Sequence, residues 1–244
     1  MIEFDRLTKR FGELIAVNQL TLRIPQGELF AFLGPNGAGK TSTIKLLAGL
    51  LKPTSGTIRL CGADVQTDYV RAKTYLSYIP DVPFVYEKLT GREFIYFILN
   101  VYPIPDRGAA LRQADELLSV FGIEKHQHHL IEQYSHGMRQ KLIFTAALIH
   151  QPRILVIDEP MVGLDPHATR IVKGILTTQA RNGTTVFLST HALSVAEELA
   201  DRIGIIDRGI LVAVGTLAEL SRSVGLQGKL EDVFLRLTSE EPLP

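Results

Sequence analysis

Apolar and polar residues alternate along IEFDRL (2–7) and again along LTLRI (20–24), the two-residue period of half-buried strands, before Pro25 and Gly27 turn the chain. ELFAFL (28–33) is almost entirely apolar, as a strand buried on both faces is. After a glycine-rich stretch the period changes. KTSTIKLLAGLL (40–51) puts Ile44, Leu47 and Leu51 at helical spacing. SGTIRL (55–60) and TYLSYI (74–79) return to strands, the second closed by Pro80. From Thr90 to about His150 the pattern is helical: GREFIYFILNVY stops at Pro103 and Pro105, RGAALRQADELLSVFG at Gly122, and SHGMRQKLIFTAALIHQ before Pro152. Strands and helices then alternate. ILVID (154–158) is a strand, and DPHATRIVKGILTTQAR a helix with Asp165 as N-cap and Pro166 at its first position. TTVFLST (184–190) is a strand and LSVAEELA a helix, and RIGIID and ILVAVG form a hairpin across Arg208-Gly209. LEDVFLRLT reads as a short amphipathic helix and SEEPLP as a frayed end. The pattern predicts an α/β core with an N-terminal antiparallel β subdomain and a helical subdomain inserted at about 84–150. Together these make one domain, residues 1–223, followed by a short C-terminal helix and tail (224–244).

Composition narrows the function classes. Of 244 residues, 45% are hydrophobic, enough for a substantial core. Lysine plus arginine equals aspartate plus glutamate at 26 each, which argues against a nucleic-acid partner. Cys61 is the one cysteine, so no intrachain disulfide forms and it reads as a small buried apolar residue. The longest apolar run, FIYFIL (94–99), is far short of a membrane span. The N-terminus is charged from Glu3 onward and has no signal-peptide core, so a cytosolic chain is expected. The cluster HQHHL (126–130) fits no standard metal spacing and reads as a solvated loop.

Two motifs carry chemistry. Residues 34–41, GPNGAGKT, satisfy G-x-x-x-x-G-K-[ST] between a predicted strand and a predicted helix, as the phosphate-binding P-loop requires. Gly34, Pro35, Asn36, Gly37, Ala38, Gly39 and Ser42 belong to a backbone that turns its N–H groups onto phosphate. Lys40 brings a charge to the β/γ-phosphates and Thr41 a hydroxyl to Mg²⁺. ILVIDEP (154–160) then ends a buried strand on Asp158, suited to support Mg²⁺, and Glu159, suited to polarise an attacking water. YSHGMRQK (134–141) poses a question of its own. Ser135 can cap a helix, yet Gly137 lies in its first turn, where glycine costs about 1 kcal/mol relative to alanine.

With these motifs in this order, the chain resembles the nucleotide-binding subunits of ATP-binding-cassette transporters over nearly its whole length. YSHGMRQK falls at the family's signature, GLDP (163–166) at its D-loop, His191 at its switch histidine, and Phe11 at the aromatic that stacks on adenine. The resemblance implies a P-loop NTPase core, ATP and Mg²⁺ as ligands, Glu159, Lys40 and His191 as the catalytic set, and Thr41, Asp158 and Asp81 around the metal. It also implies that Ser135 and Gly137 meet the γ-phosphate of ATP held by a second nucleotide-binding subunit, a copy or a paralogue. An integral membrane permease would be the other partner, placing the chain at the cytoplasmic face of the membrane. The signature form and the LEDVFLRLT ending look most like the exporter branch with separate ATPase and membrane chains. Three departures stand out: His136 replaces the first signature glycine, Tyr134 the usual leading leucine, and Asp81 stands where a Gln or Glu is expected. Two other classes are a soluble cassette ATPase of cluster assembly or nucleic-acid work, and a module that binds ATP without turnover. Phe94, Tyr96, Phe97 and Tyr102, with the Asp81 loop, are expected to form part of the membrane-subunit docking surface.

Overall fold

The computed structural model describes residues 1–225 and 229–238. The chain begins with β1 (Ile2–Phe11) and β2 (Leu14–Ile24), paired antiparallel from Ile2↔Ile24 to Phe11↔Leu14. Both run longer than the alternation predicts. Register shifts interrupt the ladder, and Arg6 (φ 43°) and Gln19 (φ 48°) are left-handed beside them. A bulge breaks the two-residue period, so sequence alternation stops where pairing continues. β3 (Leu29–Leu33) is wholly buried, as its apolar run requires. α1 (Lys40–Leu47) is shorter than its pattern, because Gly49 turns left-handed (φ 67°) behind the Ala48 cap. β4 (Ser55–Leu60) and β5 (Ala63–Asp64) complete a first sheet of order β2-β1-β4-β5. Cys61, expected to be buried, is half-buried in the β4–β5 turn with φ 49°.

A short helix, α2 (Tyr69–Tyr75), precedes β6 (Leu76–Ile79). The expected strand over 74–79 therefore begins two residues late. The helix buries only Ala72, too little apolar periodicity to announce itself. Three helices follow: α3 (Gly91–Val101), α4 (Arg107–Val120) and α5 (His136–Leu148). Then come β7 (Ile154–Asp158), α6 (Pro166–Arg181), β8 (Thr185–Ser189), α7 (Leu193–Leu199), β9 (Arg202–Asp207) and β10 (Ile210–Gly215). The chain continues through α8 (Leu217–Ser223) and α9 (Leu230–Thr238). The end 239–244, read as frayed, lies outside the described residues. α8 was not anticipated, although Thr216 and Glu219 form a reciprocal capping box that TLAE spells out.

The second sheet has the order β10-β9-β3-β8-β7-β6. β9, β3, β8, β7 and β6 are parallel, and β10 closes the edge antiparallel to β9. The two sheets share a core in which Phe4, Phe30 and Phe32 pack around Phe187, with ring centroids 5.3–6.3 Å apart. On the other face, buried residues of α3–α6 join Leu155, Ile157 and Leu188. Parallel strands all end on one side, and in such sheets ligands gather in the crevice beyond their carboxyl ends. Here those ends release Gly34 from β3, Pro80-Asp81 from β6, Glu159 from β7 and Thr190-His191 from β8.

Candidate functional site

A cavity of about 610 Å³ lies beyond those strand ends, lined by Asn36, Gly37, Gly39, Lys40, Thr41 and Ser42 of the loop and first turn. Asp81, Asp158, Glu159 and His191 face it from the neighbouring strands. Phe11, Leu14, Ile15, Ala16 and Arg208 form its far wall. Gly39 has φ 108°, and a Cβ there would lie 2.3 Å from the Ala16 carbonyl oxygen. At Gly34 a Cβ would lie 2.3 Å from the Ile206 carbonyl oxygen. Both glycines are therefore required by the packing of the loop against β2 and β9. The Ala38 side chain does not line the cavity: it is buried, and its carbonyl accepts from Gly209 N at 2.9 Å. Pro35 and Gly34 border a separate cavity of about 300 Å³ shared with Thr190, Leu193 and Phe234.

Lys40 Nζ folds over the loop and donates to the carbonyls of Gly34 (2.6 Å) and Pro35 (3.0 Å). Burial lowers its pKa, and the charges of Glu159 and Asp158 oppose that. Burial likewise pushes the Asp158 carboxyl up, while the nearby Ser189 hydroxyl pulls it down. Glu159 stands at φ 50°, a strained setting for a non-glycine residue. Its carboxylate is held at both ends. Oε1 accepts from His191 N (2.9 Å) and lies 2.8 Å from His191 Nδ1, and Oε2 accepts from the Thr190 hydroxyl (3.1 Å). The parallel register Asp158↔Ser189 explains this, because it sets Ser189-Thr190-His191 level with Asp158-Glu159. Thr190 went unnoticed in the sequence, where nothing marks one threonine among others.

Phe11 is 46% exposed at the cavity edge, with Lys9 Nζ 4.8 Å from its ring centroid. Arg208, Leu14 and Ile15 were also unanticipated there; they reach the cavity through strand pairing. Asp81 is exposed on the β6–α3 connection, its carboxylate accepting from Val82 N at 2.8 Å. It also lines a second groove of about 680 Å³, bordered by Tyr78, Phe84, Phe94, Ile98, Tyr102 and His150. The four aromatics expected at a docking surface divide: Phe94 is buried, Tyr102 is half-buried, and Tyr96 and Phe97 are 46% and 38% exposed.

Ser135 and Gly137 do not line the nucleotide-sized cavity. Ser135 caps α5, its hydroxyl accepting from Met138 N at 3.2 Å. A Cβ on Gly137 would lie 3.0 Å from the Gly163 carbonyl oxygen, so glycine also serves packing within the chain.

The loop suits a triphosphate, with its backbone cradle, partly desolvated lysine and adjacent helix start. The oxygen donors Thr41, Asp158 and Asp81 suit a hard cation such as Mg²⁺. Among the described residues no group of three or more His, Cys, Asp or Glu forms a metal cluster.

Fold and site together define a P-loop ATPase with a helical insertion. The profile described as "ABC transporter" matches residues 17–162, and the chain belongs to that family. It is 38% identical over 245 residues to the daunorubicin/doxorubicin resistance ATP-binding protein DrrA of Streptomyces peucetius, covering 99% of this chain and 74% of that protein. It is 36% identical over 224 residues to the bacitracin transport ATP-binding protein BcrA of Enterococcus faecalis, covering 91% and 71%. A solved structure described as the ATP-binding subunit of an ABC transporter superposes with TM-score 0.94 at 31% identity, over 98% of this chain and 100% of that one. The dimeric cassette MJ0796 bound to ADP and Pi superposes at TM-score 0.79 and 24% identity, over 89% and 99%, a likeness of fold. The chain is thus an ATP-binding and ATP-hydrolysing member of the ABC transporter family. No helix among the described residues is long and apolar enough to cross a membrane.

Proposed function

We propose that two such subunits close head to tail over two ATP molecules, and that closure drives a membrane permease docked at the aromatic groove on the cytoplasmic face. The observation that carries this reading is the division of the site. Lys40, Thr41, Asp158, Glu159 and His191 share one cavity, while Ser135 and Gly137 lie outside it. Phe11 stacks on the base, and the loop backbone with Lys40 holds the phosphates. Glu159, oriented by His191, polarises the water that attacks the γ-phosphate. Thr41, Asp158 and Asp81 would hold Mg²⁺, which would neutralise charge on the phosphate oxygens. Ser135 and the backbone at Gly137 close on the γ-phosphate from the opposite subunit. The relatives' names, which print bacitracin transport and daunorubicin/doxorubicin resistance, favour a cargo of that kind.

The test blocks turnover with Glu159→Gln and reads dimerisation by light scattering. ATP is expected to drive dimers of this variant, with turnover down about 100-fold or more. Adding Gly137→Asp is expected to abolish the dimer while leaving monomer ATP affinity nearly unchanged, because the added carboxylate repels the γ-phosphate. Loss of monomer binding, or normal dimerisation, would overturn the reading of 134–141.

A further inference from the structure

We propose that Thr190 is a positioning residue for ATP hydrolysis: its hydroxyl fixes the Glu159 carboxylate in the orientation from which it activates water. This rests on the reading of Glu159 as the catalytic base.

Thr190 is 2% exposed at the end of β8. Its hydroxyl has two contacts, and they force its single proton into one direction. Ala192 N donates to Thr190 Oγ1 at 3.0 Å, and a backbone N–H can only donate. The hydroxyl proton is therefore free to point at Glu159 Oε2, 3.1 Å away. Meanwhile Oε1 meets both His191 N and His191 Nδ1. Donors on Oε1 alone would still let the carboxylate swing about that oxygen. A donor on each oxygen fixes the plane of the group, and terminal carboxylate torsions are otherwise broad. The backbone helps in the same direction: Glu159 N donates to Ser189 O at 2.9 Å, pinning the residue at its strained φ. Because Thr190 is buried and His191 is exposed, Thr190 is the more rigid half of this clamp. Rigid prior orientation is what lets a base act without reorganising at the moment of reaction.

The experiment measures kcat and KM for ATP in the purified full chain carrying Thr190→Val, Thr190→Ser or Thr190→Ala. Valine keeps the volume and the β-branch and removes the hydroxyl. Thr190→Val is expected to lower kcat about tenfold or more, the scale of a hydrogen bond to a charged group, with KM within about twofold. Thr190→Ser restores the donor and is expected to recover kcat to within about threefold. In a Glu159→Gln background, Thr190→Val is expected to change the single-turnover rate by less than about twofold, since the carboxylate it orients is gone. A near-normal kcat in Thr190→Val overturns the proposal. So does an equal loss in the Glu159→Gln background, which would assign Thr190 only to the turn into α7. If Thr190→Val fails to fold, Thr190→Ser against Thr190→Ala makes the same comparison. A Glu159→Gln chain that hydrolyses normally would instead bring down the catalytic-base reading, a separate outcome.

Discussion

Single residues in this chain act through their burial. His150 closes α5 beside the groove, and its ring stacks on Tyr102 with centroids 3.8 Å apart and planes 9° apart. Burial pushes its pKa down from 6.5 to about 4. Between those values the unfolded chain binds a proton that the folded chain refuses. The stabilisation is thus full above pH 6.5 and is lost as the pH falls toward 4. Through this group the protein is expected to lose about 2 kcal/mol between pH 7 and pH 5. Urea unfolding of wild type and His150→Phe at both values checks it; an equal pH slope in the two proteins would refute the assignment. Asp158 and Glu159 were legible because they end an apolar strand in a chain that also carries the P-loop. Thr190 was not, because its partner lies 31 residues away and is set by register between strands.

At the scale of elements, the start of α5 and the loop from Glu159 to α6 are locked together. A Cβ on Gly163 would lie 2.1 Å from His136 Cδ2, so the imidazole rests on the bare α-carbon. Gly137 meets the Gly163 carbonyl, and Lys141 Nζ lies 3.5 Å from Asp165 Oδ2. Asp165 also caps α6 by accepting from Ala168 N. The histidine that departs from the family pattern therefore fills space over Gly163. Gly163→Ala adds a collision to the strain of φ 78°, and is expected to lower ATPase activity several-fold. His136→Gly in the same chain is expected to return part of it, leaving the strain alone. Strictly multiplicative losses in the double variant would show that the contact carries nothing. Sequence displayed the cap at Asp165 and the glycine at 137, since capping is local chemistry. The packing partner of Gly137 was hidden, because it comes from a loop 26 residues further on.

Across the whole molecule, one loop faces both cavities: Asp81 borders the nucleotide cavity and the aromatic groove. Phe84, 76% exposed, meets Tyr86 edge-on at 6.2 Å, and Tyr86 meets Phe97 at 5.2 Å, giving a chain of exposed rings at the groove mouth. Exposed clusters of this kind mark interfaces. If the proposed permease docks at this groove, Phe84→Asp is expected to weaken complex formation with it and uncouple transport, with folding and basal ATP binding unchanged; full transport by that variant would rule the groove out as a docking surface. The sequence by itself determined most of the order of elements, though not α2 or α8, together with the P-loop, the Asp158-Glu159 strand end and the helical insertion, because periodicity, capping and glycine chemistry act over a few neighbouring residues. Tertiary structure decided the rest. Parallel register placed Thr190 and His191 on Glu159, the β9–β10 turn brought Arg208 to the cavity, and helix packing buried Phe94 while leaving Phe97 in part exposed. Those outcomes depend on which distant segments meet, and no local pattern of apolar and polar residues encodes that choice.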